Sequence, residues 1–359
     1  VGAESRLPYD RPPLSKDVLA GDTDMSQLEL RAEDKWADLD VRLRLGVRAT
    51  GLDIAGRAVT LEDGTSEPYD GLIVATGSVP RPFPGAVTLR TLDDALAIRT
   101  ALDDGARVCV IGAGFIGAEV AATARCRGLE VSLLEALPVP LSRALGDEMG
   151  AACGALHVDF GVDLRCGVVI ERVEPGQGVV LADGSLVPAD IVVAGIGVVP
   201  VTDWLEGSGL TIDNGVVCDE TLACVGAGGA VFAAGDIARW PNALFDDEVM
   251  RVEHWTNAVE QGDLAARNLL SGGNGEPYAP VPYFWSDQYG VKIQFVGRSA
   301  PGDEVRVVAG SVEDRKFTAI YGRNGRIVGC LGFTMPRKVM QYRRMIAARA
   351  SWDDALRAD

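Results

Sequence analysis

Gly112, Gly114 and Gly117 form a G-x-G-x-x-G between the apolar run Val108 to Ile111 and a stretch of helical character. Three glycines at this spacing meet three demands of a bound dinucleotide. The first permits a tight turn, the second lets backbone approach a pyrophosphate, and the third lets a helix pack on a strand. The N–H groups opening that helix offer partial positive charge to the phosphates. A second apolar run, "LEVSLLEA", ends in Glu135, 23 residues after Gly112, near the spacing of a carboxylate that binds a ribose 2′-hydroxyl. A 2′-phosphate would be repelled there, so the pattern favours NADH over NADPH. Arg143, eight residues on, is a cation that could meet such a phosphate instead.

Such a loop needs a strand–turn–helix unit, and the chain holds signs of two. "AVTLEDGTSEPYDGLIVATGSVP" (58–80) aligns without a gap with "GVVLADGSLVPADIVVAGIGVVP" (178–200), at an offset of 120. Asp63-Gly64 matches Asp183-Gly184, Gly77 matches Gly197, and Val79-Pro80 matches Val199-Pro200. Each copy reads as a strand, an Asp-Gly turn, a second strand and a buried apolar strand ending at glycine. Two related dinucleotide-binding halves follow from the match. The glycine loop lies 71 residues before Asp183, so its counterpart in the first half falls at about position −8, upstream of Val1. The expectation is that this counterpart precedes Val1 in the full protein.

The 359 residues suffice for two or three domains, and 47% hydrophobic with 24% charged residues is ordinary for a globular chain. A net charge of −17 speaks against nucleic-acid binding, and no apolar stretch is long enough to span a membrane. Seven cysteines without a C-x-x-C or C-x-x-x-x-C pair and two distant histidines point to no metal site and no dithiol. A reducing cytoplasm is the expected compartment.

With "LPYDRPPLSK" (7–16), "YDGLIVATGSVPRP" (69–82), "LRTLDDA" (89–95), "GAGFIGAE" (112–119), "VFAAGD" (231–236), "RVEHWTNAVEQG" (251–262) and "YFWSDQYG" (283–290), the chain resembles the FAD-dependent ferredoxin reductases. These include the putidaredoxin and rubredoxin reductases and belong to the two-dinucleotide-fold flavoproteins. The resemblance implies an α/β fold with two Rossmann-like domains, an FAD domain interrupted by an NAD domain, and a C-terminal α+β interface domain. The bounds expected are 1–98 and 223–281 for FAD, 99–222 for NAD and 282–359 for the interface domain. The implied activity passes electrons from NADH through FAD to a [2Fe–2S] ferredoxin or rubredoxin serving an oxygenase or cytochrome P450. NADH oxidase, quinone or nitrite reductase activity, or an inactive nucleotide-binding fragment, stand as alternatives. The expected state is monomer or homodimer.

At residue level, the resemblance places Lys16 near the flavin N5, paired with Glu119, and makes Phe115 the aromatic that gates the nicotinamide pocket. A cation at Lys16 would stabilise anionic reduced flavin. Glu119 also suits the helix dipole, and Phe115 also suits a core. The implied FAD contacts are Arg11, Pro12, Lys16, Thr76, Gly77, Arg90, Asp236, Glu253, His254 and Trp255, with Asp236 alternatively a helix N-cap. The implied NAD contacts are Gly112, Gly114, Phe115, Ile116, Gly117, Glu135, Arg143 and Gly197. No cysteine lies in the Pro-rich segment, so electrons must leave the flavin for an external acceptor. The run 336–350 carries Arg337, Lys338, Arg343, Arg344 and Arg349 against no acid, which could steer an acidic ferredoxin; Trp285 would lie at the same face. A solvated helix face and a core tryptophan are the plainer readings. Glu135→Arg is expected to weaken NADH use and improve NADPH use. Steady-state kinetics with both cofactors checks this, and an unchanged preference would remove Glu135 as the ribose ligand.

Overall fold

The computed structural model describes residues 1–23, 25–272 and 274–358. It divides into two bodies, Val1–Asp10, Asp24–Val79 and Val199–Pro280 in one, and Arg11–Thr23, Pro80–Val198 and Val281–Asp359 in the other.

In the first body, the apolar strand Leu72–Val74 pairs in parallel with Val231–Ala233, so the chain returns late to complete a layer it began early. Strands Ala49–Asp53, Ala58–Leu61 and Ser66–Pro68 form an antiparallel meander. At its Asp-Gly turn Gly64 has φ +81°, and Asp63 Oδ1 accepts from both the backbone N–H (3.0 Å) and the hydroxyl (2.6 Å) of Thr65. Leu61, Val74, Val231 and Trp240 centre the core. Helix Trp255–Leu270 turns Asn257, Gln261, Leu264, Ala265 and Asn268 inward. Of its buried amides, Asn268 Nδ2 donates to the carbonyls of Thr221 (2.8 Å) and Glu276 (2.9 Å).

The second body holds a five-stranded parallel sheet in the order Val87–Thr88, Ile191–Ala194, Val108–Ile111, Val131–Glu135, Asp163–Cys166. Every residue of Val108–Ile111 is buried, as a central strand covered on both faces requires. The repeat seen in the sequence is a repeat of structure. Ile170–Glu174, Gly178–Leu181 and Leu186–Pro188 form a second meander, and Asp183 Oδ1 accepts from Ser185 as Asp63 does from Thr65. Both meanders shift register in their first strand. Helix Leu92–Asp103 starts with a capping box between Thr91 and Asp94.

Residues from Tyr283 onward build an antiparallel sheet in the order Tyr283–Gln288, Val291–Gly297, Arg326–Phe333, Lys316–Arg323, Glu304–Ser311. Helix Pro336–Ala347 lays Val339, Tyr342 and Ile346 inward. Leu145, Met149 and Leu156 of helix Ser142–Asp159 share a core with Phe284, Phe295 and Phe333, and Tyr321 Oη donates to the Leu145 carbonyl (2.8 Å). That helix is interrupted at Gly146, whose φ of +75° is not helical.

His157 is fully buried on this helix, its Nδ1 2.7 Å from Tyr289 Oη. Burial pushes the imidazole down to about 4, with Gln288 acting in the opposite direction. The folded value lies below the unfolded one, so the unfolded chain binds the extra proton first as pH falls. The stability owed to neutral His157 is complete above the unfolded value of about 6.5 and is lost between there and about 4, a loss of roughly 3 kcal/mol. Urea midpoints from pH 7 to 4.5 are expected to fall more steeply for the wild type than for His157→Gln. Equal slopes would show that this imidazole does not govern acid sensitivity.

Candidate functional site

The strand order of the parallel sheet reverses between Val108–Ile111 and Ile191–Ala194, the place where open α/β sheets bind ligands. The glycine loop lies there, and each glycine has its own reason. Gly112 has φ +93°, and a Cβ on it would meet the Gly195 carbonyl oxygen at 2.5 Å. A Cβ on Gly117 would collide with the Gly112 carbonyl, so glycine lets the helix close on the strand. At Gly114 a Cβ would meet only the Gly195 carbonyl oxygen, at 3.7 Å. The chain's own packing leaves Gly114 open, as backbone approach by a pyrophosphate requires. Helix Phe115–Cys126 starts at Gly114 with no side-chain cap, which leaves its first N–H groups for an anion. This cradle fits a dinucleotide.

Glu135 ends its strand half-buried and accepts from two backbone donors, Ala113 N–H at Oε2 and Leu137 N–H at Oε1, each 2.8 Å. It therefore braces the glycine loop, a role not read from the sequence, and retains lone pairs for a ribose. An arginine there would also remove the loop's acceptors, so Glu135→Gln is the control for its substitution. Ile116 and Arg143 are exposed. Gly197 has φ +95°, and its carbonyl accepts from Arg81 N–H (2.9 Å).

The same body brings Lys16, Glu119 and Phe115 together. The Pro-rich segment forms short helices Pro12–Ser15 and Asp17–Ala20, anchored by fully buried Val18 and Leu19. Arg127 donates to the Leu19 carbonyl (2.7 Å), and Thr123 to that of Ser15 (2.8 Å). Lys16 Nζ then lies 2.8 Å from Glu119 Oε2 and 3.0 Å from the Pro12 carbonyl. Ser15 Oγ donates to the same Oε2 (2.5 Å), and Ser286 Oγ to Oε1 (2.8 Å). Phe115, four residues before Glu119, packs on Phe284 with ring centroids 4.3 Å apart. Arg11 donates to the Arg90 carbonyl (2.7 Å), joining two of the expected flavin contacts. Ser15 and Ser286 were missed by the sequence reading. The signal for Ser286 lay in "YFWSDQYG", where Phe284, Ser286 and Gln288 share the buried face of a strand at two-residue spacing.

The remaining expected flavin residues lie in the first body. Asp236 follows Gly235 (φ +79°) after strand Val231–Ala233, and its Oδ2 accepts from Ser78 Oγ (2.7 Å). Gly235 N–H donates to Gln261 Oε1 (2.8 Å), leaving the buried Gln261 Nε2 without a protein partner. Thr76 Oγ1 donates to the Val201 carbonyl (3.0 Å), and Gly77 has φ +65°. Helix Trp255–Leu270 begins after His254 with no side-chain cap, Trp255 Nε1 donates to Asp10 (2.7 Å), and Glu253 is exposed and paired with Arg251 (2.7 Å). An uncapped helix start and, further along the same helix, an orphaned buried amide are groups that could meet the polar atoms of a bound ring.

Trp285 stacks near Tyr283, at 5.9 Å between centroids, and Arg343 lies over the Tyr283 ring at 5.9 Å. Trp285 is thus half-buried on the strand face opposite Phe284 and Ser286. Arg337 and Arg344 are exposed and Lys338 half-exposed on helix Pro336–Ala347. All seven cysteines are free, and burial pushes the Cys109 and Cys153 thiols up to about 12, far from thiolate chemistry. Among the described residues no cluster of His, Cys, Asp or Glu could hold a metal, and no helix is long and apolar enough to cross a membrane.

The family described as pyridine nucleotide-disulphide oxidoreductase matches residues 1–262, and the reductase C-terminal family matches 283–359. The ferredoxin–NAD(+) reductase component of the anthranilate 1,2-dioxygenase system of Burkholderia cepacia is 39% identical over all of this chain and 90% of its own length. Putidaredoxin reductase of Pseudomonas putida is 35% identical over all of this chain and 87% of its own. The solved covalent putidaredoxin reductase–putidaredoxin complex superposes with a TM-score of 0.90 at 34% identity, covering 97% of this chain and 86% of that one. By the extent of these matches, the chain belongs to the pyridine nucleotide-disulphide oxidoreductase family, in the branch that carries the reductase C-terminal domain.

Proposed function

We propose that the chain takes electrons from NADH and delivers them singly, through FAD, to a [2Fe–2S] ferredoxin or rubredoxin that serves an oxygenase or cytochrome P450. The observation that carries this reading is the pairing of Lys16 with Glu119 of the glycine-loop helix, in a chain whose Pro-rich segment has no cysteine to take electrons from the flavin. Bound FAD supplies the acceptance of a hydride and the release of single electrons. The chain's own residues bind, orient and compensate charge. Gly112, Gly114 and Gly117 with the uncapped helix start hold the NADH pyrophosphate, and Glu135 holds the ribose and the loop together. Lys16 presents a fixed ammonium to the flavin, and Phe115, held on Phe284, shields the nicotinamide side. Asp236 and the start of helix Trp255–Leu270 hold the flavin's polar groups. The corresponding domain bounds are 1–98 with 223–281 for FAD, 99–222 for NAD and 282–359 for partner docking. A reducing cytoplasm suits seven free thiols.

NADH is expected to bleach the flavin absorbance of the FAD-loaded protein and to support reduction of a ferredoxin. Bound flavin that NADH leaves oxidised would overturn the reading. Arg337→Glu combined with Arg344→Glu is expected to raise the KM for an acidic ferredoxin by about tenfold at low salt, less at high salt, because exposed charges steer encounter. A KM that neither variant nor ionic strength changes would remove this helix from docking.

A further inference from the structure

Glu119 has a side chain 3% exposed, and two segments send three donors to it. Lys16 and Ser15 reach Oε2, whereas Oε1 is reached by Ser286 Oγ at 2.8 Å. A buried ion pair needs its remaining lone pairs satisfied as well as its opposite charge. Ser286 is itself fully buried, and Gln288 Nε2 donates to its Oγ at 3.1 Å. With that lone pair filled, the Ser286 hydroxyl proton is directed to the carboxylate.

The geometry of the contact is a register match. Phe115 and Glu119 are four apart on one helix face, about 6 Å along its axis. Phe284 and Ser286 are two apart on one strand face, about 6.8 Å along it. The strand therefore grips the helix twice, ring on ring at Phe115 and hydroxyl on carboxylate at Glu119.

We propose that Ser286 is a positioning residue of the hydride-transfer site: it fixes the Glu119 carboxylate, and through it the Lys16 ammonium, from the C-terminal sheet. The inference rests on the reading of Lys16 and Glu119 as flavin-facing, and the experiment separates the two. In the FAD-loaded protein, Ser286→Ala is expected to slow flavin reduction by NADH by about tenfold, the scale of one hydrogen bond to a charged group. The KM for NADH should stay within about twofold, because no group contacting the dinucleotide is removed. The flavin midpoint potential, titrated against a reference dye, should become more negative as the cation loses its fixed place. Ser286→Thr, which keeps the hydroxyl, should restore both values. Lys16→Met should move rate and potential further in the same direction.

If Lys16→Met shifts the potential and Ser286→Ala does not, the proposal fails and the flavin-facing reading stands. Should Lys16→Met leave both rate and potential unchanged, the reading itself fails and the proposal with it. Equal damage from Ser286→Ala and Ser286→Thr would mark Ser286 as packing only and overturn the proposal. If Ser286→Ala does not retain flavin, Ser286→Cys, of similar size with a weak S–H donor, is read by the same criteria.

Discussion

A carboxylate taken out of water must be surrounded by donors, and in this protein Glu119 is where that requirement gathers the second body. Its helix contributes no donor to it. Lys16 and Ser15 come from the Pro-rich segment, and Ser286 from the C-terminal sheet. Each approach depends on packing elsewhere: Val18 and Leu19 seat the Pro-rich segment, Phe284 on Phe115 seats the strand, and Gln288 orients the serine. Losing the strand's hydroxyl would leave the Oε1 of a buried charge without its donor.

The second constraint is closeness of backbone at the strand reversal. Gly195 follows Ile191–Ala194, and its N–H donates to the Ile111 carbonyl (2.7 Å) while its own carbonyl faces Gly112. That approach admits no side chain at Gly112, and the Gly112 carbonyl in turn admits none at Gly117. It leaves Gly114 open and the helix start uncapped, which is what a pyrophosphate needs. The three glycines thus serve the close approach that shapes the loop, and Glu135, bonded to Ala113 N–H, ties the adjacent strand into it.

Much of this was legible before any coordinates. The strand Val108 to Ile111, the loop, the helix after it and the strand ending in Glu135 follow from periodicity and glycine spacing. The duplicated meanders followed from matched Asp-Gly turns, where an aspartate bonds two residues ahead. Lys16 and Glu119 were paired only through resemblance to a known family; nothing in their spacing joins residues 103 apart. Ser15 and Ser286 carried no such label, because serine is common and its hydroxyl acquires meaning only from what it faces. Glu135 was read as a candidate ribose ligand, whereas its bracing of the loop was not legible.

What the sequence by itself determined is therefore local. Turns, caps, strand alternation and the glycine loop are decided by interactions over a few residues, and residue type records them directly. Tertiary structure alone decided which distant side chains share a charge. Ser286 and Glu119 are 167 residues apart, and their bond exists because a two-residue step along a strand matches a four-residue step along a helix. Such a match depends on two surfaces being pressed together, and no run of residues carries it alone.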